Sequence, residues 1–186
     1  MKNKNFAVNL LMVIFISGLV SGCQSDPPVF DKGNLIGRYT GECTITIGSI
    51  TEGVQNVPAV FKQKDTQSLF LDLGDDNTFA SIGISAMRIA SGFKDHGSYA
   101  SFDLESMSDV FSEGKIPSRI KSAFNPPWDI VSMTLSLNIS PQNPPRYTIG
   151  SKNLTFTYTG GVDMKGRNPA DKMSSSITYK FSLNKQ

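Results

Sequence analysis

Apolar and polar residues alternate along most of the chain, as they do in strands that bury only one face of a sheet. The longest example spans residues 37–48. Tyr39 and Cys43 share its apolar face and Glu42 lies on its polar face, so we expect Cys43 in the core. The same period of two recurs in five later segments, Val57–Phe61, Leu69–Leu73, Val131–Ile139, Leu154–Tyr158 and Ser175–Leu183.

One further segment, Phe79–Ala90, is apolar on both faces, which predicts a strand covered on both sides or one with a bulge at Gly83. Residues typical of turns separate the segments, at Gly74–Asn77, Ser91–Gly92, Pro141–Pro145 and Gly160–Asp171. Strands joined by polar turns indicate an all-β antiparallel meander. We expect it to close into a barrel of about eight strands, because closure hides the sheet edges. A β-sandwich is the alternative.

The stretch near 103–128 interrupts this pattern. It loses the alternation and contains Pro117, Pro126 and Pro127, which disfavour a central strand. Apolar residues in its middle recur at helical spacing, and Pro117 would fit a first helical turn. We therefore predict a short helix near 117–124, or an irregular insertion, that covers one end of the barrel.

The N-terminus carries the most specific motif of the chain. Lys2 and Lys4 precede an apolar run, Phe6–Val20, which is shorter than the roughly 20 apolar residues that a membrane span needs. A basic start, an apolar run and small residues before a cysteine describe an export signal. Residues 20–23, Val-Ser-Gly-Cys, resemble the lipobox of bacterial lipoproteins, in which the cysteine sulfur accepts a diacylglyceryl group.

That resemblance implies a signal peptide at 1–22, lipidation of Cys23 and a polar tether at 23–33, followed by a single domain at 34–186. Gln24 follows the cysteine, whereas lipoproteins kept at the inner membrane often carry Asp at that position. The resemblance therefore implies the outer membrane of a gram-negative cell, on its periplasmic or surface side. Cys43 would then have no second cysteine to pair with.

The start of the mature domain extends this resemblance. Leu35–Gly41 reads Leu-Ile-Gly-Arg-Tyr-Thr-Gly and opens an alternating strand, and a threonine-rich strand, Leu154–Gly160, lies near the end. Together with the lipobox and tether, these features resemble the calycin-like β-barrel lipoproteins of gram-negative gut bacteria, over residues 34–184. The resemblance implies a calycin- or lipocalin-like barrel with a surface or periplasmic role, and it brings no catalytic residues. The insertion near 103–128 departs from it.

Composition excludes several classes of protein. Hydrophobic residues make up 39% of the 186 and charged residues 18%, which argues against a disordered chain. The formal net charge is +2, and removal of Lys2 and Lys4 leaves 16 basic residues against 16 acidic ones. A nucleic-acid-binding protein normally carries an excess of basic residues, so we predict no nucleic-acid partner.

Candidate chemistry is sparse. The chain has one histidine, His96, and only four glutamates, so neither a nucleophile–base pair nor a pair of glycosidase carboxylates is evident. Asp72, Asp75 and Asp76 could hold a calcium ion, but aspartates are common in turns for backbone reasons alone. We predict no enzyme activity, no metal and no cofactor.

A binding role remains. The candidate ligand-binding residues are Phe93, His96, Phe124 and Trp128, because exposed aromatic rings at a barrel mouth stack on sugars or contact apolar ligands. The alternative, which we favour for Phe124 and Trp128, is that these two residues seal the insertion onto the core. The first hypothesis is a lipid-anchored module that binds a small apolar molecule or a glycan in or at the mouth of the barrel. The second is a structural or interaction component of an envelope or uptake complex, with a protein partner and no small ligand.

Overall fold

The structure is a computed structural model that describes residues 30–84 and 86–186. Cys23, the signal peptide and most of the tether lie outside the described residues. Within these residues there are two α-helices, α1 (Asp76–Ile82) and α2 (Ser118–Phe124), and a 3₁₀ turn spans Lys32–Leu35. The same residues form ten strands, β1 (Gly37–Ile47), β2 (Ile50–Gln63), β3 (Leu69–Leu73), β4 (Ala86–Asp95), β5 (Tyr99–Leu104), β6 (Met107–Ser112), β7 (Ile130–Ile139), β8 (Arg146–Thr148), β9 (Asn153–Gly166) and β10 (Lys172–Lys185).

Eight of these strands form a closed ring of antiparallel pairs, which we call the barrel. The order is β1, β2, β3, β4, β5, β8, β9 and β10, and β10 pairs back onto β1. The all-β class, the antiparallel meander and closure by about eight strands are confirmed. The sandwich alternative is wrong, since one continuous ladder runs around the ring.

The remaining two strands extend the wall at one side. Strand β9 pairs with β8 through residues 153–155 and with β7 through residues 158–166. Strand β6 pairs with β7, and no other described strand pairs with it, so its second edge is open. Across this opening the side chains of Arg88 and Asp109 approach to 3.8 Å between Nη2 and Oδ2.

The interior of the barrel is filled with side chains. Most inward residues of the strands are buried, and aromatic rings interlock among them. Tyr39 contacts Phe61 edge-on at 5.7 Å between ring centroids, Phe61 contacts Phe102 at 5.9 Å, and Phe156 stacks on Phe181 at 4.6 Å. Cys43 is fully buried in this core and Glu42 points outward, as the alternation predicted.

Both ends of the barrel are covered. At one end, the helical end, α2 is attached to the β1–β2 hairpin and to α1 through Arg119, which donates to Glu52 at 2.8 Å and to Ser81 at 3.1 Å. At the opposite end, the N-terminal end, the 3₁₀ turn buries Leu35. The hydroxyl of Tyr39 donates to the Leu35 carbonyl at 2.7 Å.

The predicted strand over Phe79–Ala90 is wrong in its first half. Residues 76–82 form α1, and only Ala86 onward is strand. The Asp75 carboxylate caps the helix by accepting from the Thr78 N–H at 2.8 Å, and Gly83 ends it in a left-handed conformation. An apolar run of this length fits a helix as well as a strand, and these two caps decide between them.

Three other expectations need correction. Ser91–Gly92 is a bulge inside β4 rather than a turn, and the turn predicted over Gly160–Asp171 begins only after β9 ends at Gly166. The helix near 117–124 is confirmed as α2, but the start of the predicted insertion is strand, in β5 and β6. Asp109 occupies an inward position of β6 and so hides the alternation there. No helix in the described part of the chain is long and apolar enough to cross a membrane.

Candidate functional site

A partly polar concavity lies on the outer wall of the barrel, where β8, β9 and β10 meet the loop that precedes β8. It has a volume of about 450 Å³, and we call it the outer groove. The residues that line it are Gln142, Asn143, Pro144, Arg146, Thr155, Phe156, Thr157, Lys180 and Phe181. Its polar side chains come from outward strand positions and from the loop, while both phenylalanines belong to the core.

The loop that forms one side of the outer groove is held in place by its own hydrogen bonds. The Asn143 N–H donates to the Ser140 carbonyl at 3.0 Å, and the Phe102 N–H donates to the Pro145 carbonyl at 3.2 Å. The three prolines of the loop limit its backbone freedom further. The amides of Gln142 and Asn143 are therefore presented by a constrained backbone.

Arg146 is positioned by an aromatic stack rather than by an acidic partner. Its guanidinium carbon lies 4.0 Å from the centroid of the Tyr99 ring, and the His96 ring stacks on Tyr99 at 4.5 Å and 16°. His96 Nε2 and Ser101 Oγ are 2.8 Å apart, which fixes the imidazole. Contact with an aromatic face favours a cation without using its N–H groups, so Arg146 keeps donors for a ligand.

The outer groove carries positive charge. Arg146 and Lys180 line it and no acidic residue does. Neither cation forms an ion pair within residues 30–84 and 86–186. On the neighbouring strand, Glu42 is paired in register with Ser182 and accepts from the Gln55 amide at 3.1 Å.

The four aromatic candidates from the sequence do not form one site. Phe93 and His96 lie toward the N-terminal end, where Phe93 packs against Phe102 at 5.5 Å between centroids. Phe124 and Trp128 lie at the helical end and pack against the core. Of the four, only His96 is linked to the outer groove, through Tyr99 and Arg146. Their ligand-binding role stays a prediction.

His96 and Ser101 have the spacing of a nucleophile and its base, but their surroundings differ from those of a catalytic pair. Ser101 is only 7% exposed, and the imidazole face is covered by Tyr99. The Asp95 carboxylate accepts from the N–H groups of Phe30 at 2.9 Å and Gly97 at 2.7 Å, which lower its pKa. It is thus engaged by backbone and not by the imidazole, and the orienting acid of a triad is missing from this pair.

Two of the three residues considered for calcium have other roles. Asp75 caps α1, and Asp72 pairs with Lys62 at 3.0 Å. Among the described residues, no group of three or more His, Cys, Asp or Glu side chains is arranged to hold a metal ion. The thiol of Cys43 is buried, which raises its pKa and leaves it protonated at neutral pH.

Sequence reasoning missed Arg146, Lys180 and Tyr99. Two signals were available: Arg146 directly follows the proline-rich loop, and Lys180 lies on the polar face of the last strand. Neither signal indicated that β8 and β10 both border β9, which is what brings the two cations into one groove. Comparisons of the chain with protein families, curated proteins and solved structures gave no match.

Proposed function

We propose that this chain is a non-enzymatic lipoprotein, anchored in the outer membrane through Cys23, that binds a glycan in the outer groove. The observation that carries the proposal is the filled interior with both ends covered, which leaves the outer wall as the place for a ligand. A calycin-like barrel with a central apolar ligand would need interior volume that aromatic side chains occupy instead.

The chemistry of the outer groove favours a glycan over an apolar molecule. Two threonine hydroxyls, two side-chain amides and two cations offer both donors and acceptors, in a pattern suited to sugar hydroxyl groups. A small apolar ligand would desolvate these groups without pairing them. The ligand is therefore proposed as a saccharide, and the apolar option is not favoured.

The anchor would orient the barrel. Seven Cα–Cα steps separate Cys23 from Phe30, so the chain between them spans at most about 25 Å. Phe30 packs at the N-terminal end of the barrel, against Phe93 and Tyr147. A lipidated Cys23 would hold this end toward the membrane and leave the helical end facing away from it.

The anchoring test compares two cysteine variants of the full-length protein in a gram-negative host. We expect Cys23→Ala to abolish incorporation of a labelled fatty acid and to release the protein from the outer-membrane fraction. Cys43→Ala is the control and should stay lipidated. A Cys23→Ala protein that remains labelled would refute the anchor.

The binding test blocks the outer groove without touching the core. Thr157 points outward and lines the groove, whereas Thr159, two residues along the same face of β9, does not line it. The lipidated protein in detergent would be screened against neutral and acidic oligosaccharides. We expect Thr157→Trp to lose the binding that the wild type and Thr159→Trp retain. Equal binding by the two variants, or no binding by the wild type, would overturn the proposal.

A structural or interaction role is the second candidate, and the open edge of β6 favours it. Val110 on this strand is 75% exposed and Met87 across the opening is 54% exposed. The buried Nε of Arg88 beside them has no hydrogen-bond partner among the described residues. If this role holds, the protein should run on native gels as part of a larger envelope complex, and Val110→Lys should release it from that complex. Ser108→Lys, on the same face of β6, should not.

A further inference from the structure

We propose that the outer groove selects an acidic saccharide, and that Arg146 and Lys180 supply the positive charge that binds its carboxylate or sulfate groups. This inference rests on the proposed glycan-binding function and names the ligand class. It starts from two cations that line one groove with no acidic residue between them.

The register of the strands sets the distance between the two cations. Arg146 is the partner of Thr155 on β9, and Lys180 is the partner of Thr157 on the same strand. Lys180 is therefore two strands across and two residues along from Arg146, which gives a Cα separation of about 12 Å from ordinary sheet spacings. The Arg146 guanidinium lies on the Tyr99 ring of β5, at one side of the groove, and Lys180 projects from β10 at the other side. A saccharide over Thr155 and Thr157 would therefore lie between the two cations.

The groove is also prepared for charge recognition. Each of the two cations lacks an ion pair within the described residues, so an anion in the groove would meet unpaired positive charge on both sides. The stack of Arg146 on Tyr99 limits the rotamers of the arginine before the ligand arrives. The planar guanidinium suits a two-oxygen anion such as a carboxylate or sulfate. The hydroxyls and amides around it bind the sugar that carries the anion.

Tyr99 acts as a positioning residue in this arrangement. It does not line the groove, but its ring holds Arg146 on one side of it. Tyr99→Phe keeps the aromatic face and should keep the preference for an acidic ligand. Tyr99→Leu removes the face and should reduce that preference while leaving affinity for a neutral sugar unchanged. A merely structural role of Tyr99 would lower both affinities together.

The decisive experiment uses two trisaccharides that differ only in charge. Trigalacturonate and its carboxyl-reduced neutral counterpart would be titrated calorimetrically into the lipidated protein in detergent. We expect the acidic trimer to bind about tenfold more tightly at low salt, as two partly screened charge contacts predict, and the preference to fall as salt rises. Arg146→Gln and Lys180→Gln should each reduce the preference to about threefold, because each removes one of the two charge contacts. Lys172→Gln, a cation on the same strand outside the groove, should leave it intact.

Each other outcome overturns this inference in a recognisable way. Equal affinity for the two trimers would refute charge selection and leave glycan binding standing, whereas binding of neither would refute both. Displacement of the acidic trimer by an equal concentration of inorganic sulfate would indicate an anion site without sugar recognition. Binding to phosphatidylglycerol vesicles that depends on Arg146 as strongly as trimer binding does would assign the cations to the membrane surface. If Lys172→Gln also lost the preference for the acidic trimer, that preference would come from the overall charge of the surface and not from the groove.

Discussion

Gly160 provides a test of how closely β9 packs against its two neighbouring strands, β7 and β10. It is the register partner of Leu137 on β7 and of Ile177 on β10. A Cβ placed on Gly160 would overlap the carbonyl oxygen of Ser136, lie 2.8 Å from its carbonyl carbon and lie 3.0 Å from the Leu137 Cα. All three atoms are backbone, so no side-chain rotation can relieve the clash.

The magnitude follows from these contacts. Atoms that are not bonded prefer separations well above about 3 Å, and the overlap with the Ser136 oxygen is the worst of the three contacts, so β7 would have to move more than about one ångström away from β9. Overpacking of this kind costs about 1–3 kcal/mol, and stretching one or two hydrogen bonds of the ladder adds about 0.5–1.5 kcal/mol each. We expect Gly160→Ala to lower the free energy of unfolding by about 2–4 kcal/mol.

The assay is equilibrium unfolding in urea, with Gly161→Ala as the matched control. The nearest atom to a Cβ at Gly161 is the Ser175 carbonyl oxygen at 3.9 Å, an ordinary contact. Gly161→Ala should therefore leave stability unchanged or raise it by about 0.4–1 kcal/mol, because alanine reduces the conformational entropy of the unfolded chain. With a slope near 2 kcal/mol per molar urea, Gly160→Ala should unfold about 1–2 M earlier. Equal midpoints for the two variants would refute the described approach of β7 to β9.

Three further predictions concern the core and its ends. In the Cys23→Ala protein, the buried Cys43 thiol, whose pKa is raised by desolvation, should react with a disulfide reagent at neutral pH only in denaturant. Stoichiometric labelling of this variant in its native state would contradict the burial of Cys43. Hydrogen bonds from the Thr78 N–H and hydroxyl lower the pKa of Asp75, so its contribution to stability exists above its unfolded pKa, near 4, and is lost as the pH falls through the folded value. The difference in free energy of unfolding between the wild type and Asp75→Asn should therefore become smaller as the pH is lowered. A difference that stays constant with pH would contradict a stabilising role of the Asp75 carboxylate. Arg119→Met should lower the free energy of unfolding by less than about 1 kcal/mol, because the side chains of Arg119 and Glu52 are each 40% exposed. A larger loss of stability, measured from the urea midpoint, would mean that this ion pair is needed to hold α2 on the barrel.

The sequence predicted the strands whose two faces differ in solvent contact. Strands β1, β7 and β10 follow from alternation alone, because one face packs on the core and the other meets water. The prediction failed where that contrast disappears. Residues 79–82 are apolar but helical, and β6 carries Asp109 on its inward face. For residues 79–82, the caps of α1 decide the conformation. For β6, the carboxylate of Asp109 points inward because it faces Arg88 across the opening between β4 and β6, and the sequence pattern does not reveal that opening.

The candidate site was predicted less well than the fold. His96 was singled out as a lone histidine, yet its neighbours Tyr99 and Arg146 come from the far side of a hairpin and from a strand about 50 residues later. Their proximity depends on the pairing of β5 with β8, which the sequence does not display. For Phe124 and Trp128 the sequence offered two interpretations, and the structure confirms the favoured one, in which both residues pack on the core.

By itself the sequence determined the class of fold, the burial of Cys43 and Tyr39, and the motif at residues 20–23, because each depends on neighbours within a few positions of the chain. Only the tertiary structure decided that the barrel interior is solid, that both ends are covered, and that Arg146 and Lys180 share a groove. These features depend on which strands pair around the ring and on how side chains from opposite walls fill the same space. Such contacts join residues far apart in the chain, and periodicity along a single strand carries no information about them.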